Sequence, residues 1–239
     1  MIRYVFFDLD GTLLPMDQDA FTRAYFGLLA HKMAPLGYKA AALEKAIWKG
    51  TAAMVANDGS VTNEEAFWRC FCGIFGEQAR AHIPVFEDFY RGEFQCAREI
   101  CGFQPLAVKV VERLHRRGYR TVLATNPIFP EIATRSRIRW AGLRPEDFLL
   151  YTTYENSRYC KPNPAYYREI CQRLKISPEE CLMVGNDVGE DMVAETLGMQ
   201  VYLITDCLIN RNNEDISRYP HGSFEDFAAY VANRLLQLQ

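Results

Sequence analysis

Two aspartates separated by one residue, Asp8 and Asp10, stand at the end of the apolar run Tyr4 to Phe7, and Gly11 and Thr12 follow at once. Side chains two apart on an extended chain lie on one side of it, so both carboxylates can converge on one bound group. Held that close they repel each other unless a cation sits between them. Gly11 permits a sharp exit turn, and Thr12 brings a hydroxyl and an amide. Three more polar stations follow: Thr125 with Asn126 after the run Tyr119 to Ala124, Lys161 in Cys160-Lys161-Pro162, and Asp187 with Asp191 after Gly185-Asn186. Each is ordinary by itself, since Thr-Asn-Pro makes turns and a lone lysine sits on the surface. Their order along the chain, and their place after apolar runs, set them apart.

Those apolar runs are what must position them. Tyr4 to Phe7 is short, aromatic and β-branched, which predicts a strand buried on both faces. After Pro105 the pattern alternates: a helix over Ala107 to Arg117 closed by Gly118, a strand over Tyr119 to Ala124, a helix from Phe129 to Trp140 and a strand near Phe148 to Thr152. A helix after Pro164, a strand at Cys181 to Val184, a helix near Asp191 to Leu197, a strand at Gln200 to Ile204 and a helix over Phe224 to Leu236, started by Ser223, complete it. Such alternation predicts an α/β fold with a Rossmann-like parallel sheet covered on both faces, where ligands bind beyond the carboxyl ends of the strands.

Between Pro15 and Gln104 the rhythm is helical instead. Phe21, Tyr25, Leu28 and Leu29 share one helical face, and Leu43, Ile47 and Met54 another. Thr62-Asn63-Glu64-Glu65 has capping-box spacing ahead of Phe67, Trp68, Phe71 and Phe75, and a further helix is expected over Val85 to Phe94. A crossover between neighbouring parallel strands needs about a dozen residues, so this much longer segment reads as an insertion with its own small core.

Composition limits the function classes. The chain has 239 residues, 49% of them hydrophobic, and a net charge of −3 without a long basic run. That supports a sizeable core and recommends neither nucleic acid nor an anionic membrane as partner. No leader pattern opens the sequence and no apolar run reaches the ~20 residues that span a bilayer, so the expected setting is cytoplasmic. The eight cysteines fall mostly inside apolar patterns, without a Cys-x-x-Cys pair, and four scattered histidines make no zinc signature; reduced core cysteines are expected. Arg135, Arg137 and Arg139 read as charges spread around a helix surface. Lys49 and Asn57 are polar groups that can be imagined reaching a substrate, although surface positions are the simpler expectation.

Asp8-Leu9-Asp10-Gly11-Thr12 resembles the opening motif of the haloacid dehalogenase (HAD) superfamily, phosphatase branch. Thr125, Lys161 and Gly185-Asn186-Asp187 with Asp191 resemble its second, third and fourth motifs in the same order. The resemblance implies Asp8 as nucleophile, Asp10 as general acid and base, and Mg2+ held by the Asp8 carboxylate, the Asp10 main-chain carbonyl and Asp187. It further implies that Thr125 and Lys161 hold phosphoryl oxygens, with Thr12 and Asn126 in support, and that Asp191 orients Lys161 or a metal-bound water. Asn186 stands where some relatives have an acid; the spacing to Asp191 favours Asp187 as the metal ligand. Only ~35 residues separate Asn126 from Lys161, so the family's helical cap is expected at 16–104, with the core at 1–15 and 105–239. The implied activity is hydrolysis of a small-molecule phosphomonoester. A phosphomutase of the β-phosphoglucomutase type, or a binding protein retaining the fold, are the alternatives. Asp10 speaks against a dehalogenase, and Lys49 is the sole candidate for the Schiff-base lysine of a phosphonate hydrolase.

Overall fold

The computed structural model describes residues 1–235, and Leu236, the expected end of the last helix, lies outside them. The five-stranded sheet has the order β2-β1-β3-β4-β5. Its strands are β1 (Tyr4–Phe7), β2 (Arg120–Leu123), β3 (Cys181–Gly185), β4 (Gln200–Ile204) and β5 (His221–Gly222), all paired in parallel. Phe7 is level with Leu123 on one side and Val184 on the other. Residues leaving these three strands therefore emerge at one height, which brings Asp8, Thr125 and Asn186 together.

Alternation within β1 explains why the sheet is covered twice. Val5 and Phe7 belong to a core with Leu123, Leu182 and Val184 on one face, whereas Phe6 packs with Val122, Met183 and Tyr166 on the other. Both faces being apolar, the strands lack the polar-outward residues of a half-exposed sheet. Helices α5 (Pro105–Arg116) and α8 (Phe224–Tyr230) contribute Val111, Leu114, Phe224 and Phe227 to the first core, and α7 (Pro164–Leu174) contributes Tyr166, Tyr167 and Ile170 to the second. Ser223 caps α8 in a reciprocal box with Asp226. The stretch expected as a strand at Phe148 to Thr152 makes only a parallel bridge, Tyr151 with Leu123, although Leu149 and Thr152 still donate to β2 carbonyls. The helix expected near Asp191 to Leu197 is a short 3-10 turn, Met192–Leu197, ended by Gly198.

In the segment between β1 and α5 the regular elements are all helices, α1 (Gln18–Met33), α2 (Ala40–Val55), α3 (Asn63–Phe75) and α4 (Ile83–Arg91), followed by a 3-10 stretch at Glu93–Ile100. Asp17 caps α1 and Thr62 caps α3, but Glu65 turns outward to Arg69 and Arg80 and does not close the box. Its two ends meet: Met16 bridges Cys101 in antiparallel fashion, and Gly102 donates its amide to the Pro15 carbonyl at 2.7 Å. Its apolar residues continue the first core rather than forming a detached one.

Candidate active site

Asp8 follows β1 directly, with its amide bonded to the Val184 carbonyl at 2.9 Å. Gly11 has φ +91°, and a Cβ there would lie 2.4 Å from the Asn186 amide nitrogen, so the turn after Asp10 needs glycine for conformation and for space. That contact lets Thr12 Oγ1 donate to Asn186 Oδ1 at 3.0 Å while lying 3.4 Å from Asp8 Oδ2. Lys161 is 1% exposed, and its Nζ donates to Asp8 Oδ1 at 2.8 Å and to Asp191 Oδ1 at 2.6 Å. Asp191 reaches it across Gly185, where any Cβ would stand 2.1 Å from Asp191 Oδ2. Thr125 is buried at the end of β2, its carbonyl fixed by the hydroxyls of Thr152 and Tyr166 at 2.6 and 2.8 Å. Asn126 accepts from the Lys161 amide and donates to Glu190. The structure thus brings Asp8, Asp10, Thr12, Thr125, Asn126, Lys161, Asn186, Asp187 and Asp191 into one neighbourhood.

Negative charge is in excess there. Burial pushes the Asp8 carboxyl up to about 7, with Lys161 opposing and the Asp191 and Asp10 carboxylates adding to the rise. Burial also raises Asp10, against Arg137 and Lys161, and raises Asp187, against backbone donors. Lys161 loses by burial but gains more from Asp191 and Asp8, so it is held charged. A divalent cation is what such a group of carboxylates lacks. One Asp187 oxygen takes the amides of Gly189 and Glu190 at 2.8 and 2.9 Å, and its other oxygen makes no hydrogen bond among the described residues. The Asp10 carbonyl likewise accepts none among them. No three His, Cys, Asp or Glu side chains form a metal cage among the described residues. Two carboxylates with one carbonyl is instead a set that suits Mg2+, a hard cation that keeps several of its waters.

Two residues of this neighbourhood escaped the sequence reading. Arg137, expected on the surface, is 1% exposed; it donates through Nη1 to Asp10 Oδ2 and through Nη2 to Thr134, and lies over the Phe129 ring at 4.4 Å. The signal was present, because Ala133, Thr134, Arg137, Ile138 and Ala141 fall on one face of α6 (Glu131–Trp140) and its end, and all are buried. Glu190 is the second, its carboxyl raised by burial to about 7 beside Asn126. Asn57 is structural, bonding the Val61 carbonyl and Asn63, and neither it nor Lys49 lines the cavity described next.

A cavity of about 340 Å³ opens above these residues, with Asp8, Asp10, Thr125, Asp187 and Glu190 on one side and residues of α1 and α2 on the other. Lys161 does not line it, lying beneath Asp8 and Asp191.

Comparison with known proteins adds the family context. The model of the haloacid dehalogenase-like hydrolase family matches residues 2–194, and a second model of HAD-like hydrolases matches 158–234. The chain is 26% identical over 218 residues to phosphoglycolate phosphatase 1 of Pseudomonas aeruginosa, a match spanning 85% of this chain and 69% of that relative. It is 25% identical over 208 residues to phosphoglycolate phosphatase of Aliivibrio fischeri, spanning 85% and 84%. Among solved structures, 2-haloacid dehalogenase of Pseudomonas syringae superposes with a TM-score of 0.63 at 20% identity, covering 97% of this chain and 99% of that one, which is a likeness of fold.

Proposed function

Because the chain belongs to the haloacid dehalogenase-like hydrolases, we propose that it is a Mg2+-dependent phosphatase that passes the phosphoryl group of a small phosphomonoester to Asp8 and then to water. The observation that carries this reading is the pairing of Asp8 with the buried Lys161 beneath a cavity that Asp8 and Asp10 line. The two phosphatase relatives support it. A second aspartate, of no use to a dehalogenase, supports it further.

Asp8 Oδ1 is occupied by Lys161, leaving Oδ2, with only a long contact to Thr12, as the oxygen that attacks phosphorus. As the Asp8–phosphorus bond forms, the bond to the leaving oxygen breaks and Asp10 delivers its proton to that oxygen. A raised Asp10 carboxyl is suited to carrying a proton, and its Oδ1 has no hydrogen-bond partner among the described residues. Asp10 then accepts a proton from water as the water oxygen attacks phosphorus, and Asp8 departs as carboxylate. Thr125 and Asn126, which line the cavity, hold the phosphoryl oxygens, while Lys161, kept aimed at Asp8 by Asp191 and with Thr12 nearby, supplies positive charge from beneath and reaches a phosphoryl oxygen only once Asp8 yields it. Mg2+ would be held by Asp8, the Asp10 carbonyl and Asp187, and supplies the positive charge that lets a carboxylate approach a phosphate.

In this reading residues 1–15 and 105–239 are the catalytic core and 16–104 the cap. Eight free cysteines suit a reducing, cytoplasmic setting. No helix among the described residues is long and apolar enough to cross a membrane. Release of inorganic phosphate from a panel of small phosphomonoesters, with and without Mg2+, tests the proposal. Asp8→Asn should abolish release while the circular dichroism spectrum is retained; more than a few per cent of residual rate in protein free of contaminating phosphatase would remove Asp8 as nucleophile.

A further inference from the structure

The side of the cavity away from the carboxylates is built from two helix stripes. From α1 come Phe21, Tyr25 and Phe26, with Gln18 and Thr22 as uncharged polar members, and from α2 come Ile47, Trp48 and Thr51, at spacings that keep each set on one face. Tyr25 offers ring rather than hydroxyl, because its OH is taken by Tyr90 at 3.0 Å and the side chain is 6% exposed. At the rim, Trp48 is 50% exposed with its ring 5.5 Å from that of Phe26, and Val55 is 44% exposed. Among the described residues Arg211 is the cavity's sole cationic lining residue, and it stands on the opposite side, where its charge already acts on Asp187.

A phosphomonoester with its phosphate at Asp8 must lay the rest of the molecule against these stripes. A carboxylate there would lose its water and meet no cation, whereas an apolar or aromatic group would gain contact with Phe21, Tyr25, Phe26 and Trp48. We infer that the leaving alcohol of the substrate is uncharged and largely apolar or aromatic. The inference rests on the phosphatase reading. It separates this chain's specificity from what the names of its two relatives describe.

The test compares alcohols that leave about equally badly, so that binding and not leaving-group activation decides. Benzyl phosphate against phosphoglycolate, and hexyl phosphate against its analogue with a terminal carboxylate, are assayed for kcat/KM with Mg2+. The uncharged member of each pair should win by about 100-fold, the scale set by an unpaired buried charge against a methylene-sized gain. Trp48→Ala, at a half-exposed position, should raise KM for benzyl phosphate about tenfold more than it raises KM for methyl phosphate. Thr51→Lys should move the ratio toward the carboxylate esters. Preference for phosphoglycolate, lost on Arg211→Gln, would overturn the inference while leaving the phosphatase reading in place. Absence of phosphate release from every ester, activated aryl phosphates included, would overturn both.

Discussion

Arg137 fixes where Asp10 can be. Its guanidinium is held by Thr134 and by the Phe129 ring, and it occupies one oxygen of Asp10 while the other has no partner among the described residues. In the proposed mechanism Asp10 meets first a leaving oxygen and then a water, a role that calls for this kind of restraint. Arg137→Met should therefore lower kcat by about 100-fold with little change in KM, as misplacement of a catalytic group by an ångström does; equal loss in both parameters would make Arg137 a packing residue only. Asp10→Asn should slow transfer from alkyl esters more than from aryl esters, since an alkoxide needs a proton to leave. With an aryl phosphate it should give a burst of about one phenol per active site followed by slow turnover. Rapid-quench traces without a burst, and with equal slowing for both ester types, would take both roles from Asp10. That Asp8, Asp10, Lys161 and Asp187 would meet in space was legible in the sequence because each sits in a short contiguous pattern with its own turn or strand end. Arg137 was not, because three arginines at alternate positions look alike until the docking of α6 decides which of them points inward.

At the level of elements, strands were easier to read than the turns that replace helices. β1 and β4 have the expected limits because apolar residues fill both faces. The Phe148 to Thr152 stretch keeps its hydrogen bonds to β2, yet Leu149 is 46% exposed, and an edge segment with one wet side makes a bridge rather than a full strand. Glu65 was expected to close a box and instead pairs with arginines, a competition that spacing alone does not reveal. The end of β3 illustrates how an element dictates chemistry. Gly185→Ala would force Asp191 away from the strand and so from Lys161. A loss of about 1–3 kcal/mol in denaturant stability is expected from such overpacking, together with a fall in kcat. Unchanged kcat would show that Lys161 keeps its aim without Asp191.

For the whole molecule, the seam between the helical segment and the sheet runs through Asn63. It is fully buried at the start of α3, where it donates toward the carbonyls of Pro127 and Tyr159 and the Cys160 sulfur, and accepts from Asn57. Asn63→Ala strands those groups without solvent and should cost about 2 kcal/mol. Hydrogen exchange should then quicken in α1 to α3 more than in β1 and β3; uniform quickening would mean that the two parts unfold only together. The neck at Pro15, Met16, Cys101 and Gly102 carries a different consequence. Because entry and exit are already bonded to each other, everything from Asp17 to Ile100 is, in polymer terms, a ring closed at its own base. The entropy of closing a ring rises by only about 0.6 kcal/mol for each doubling of its contour. A longer or shorter excursion from that base would therefore alter the closure cost very little, and what binds the helices to the sheet is the core they share and the seam at Asn63.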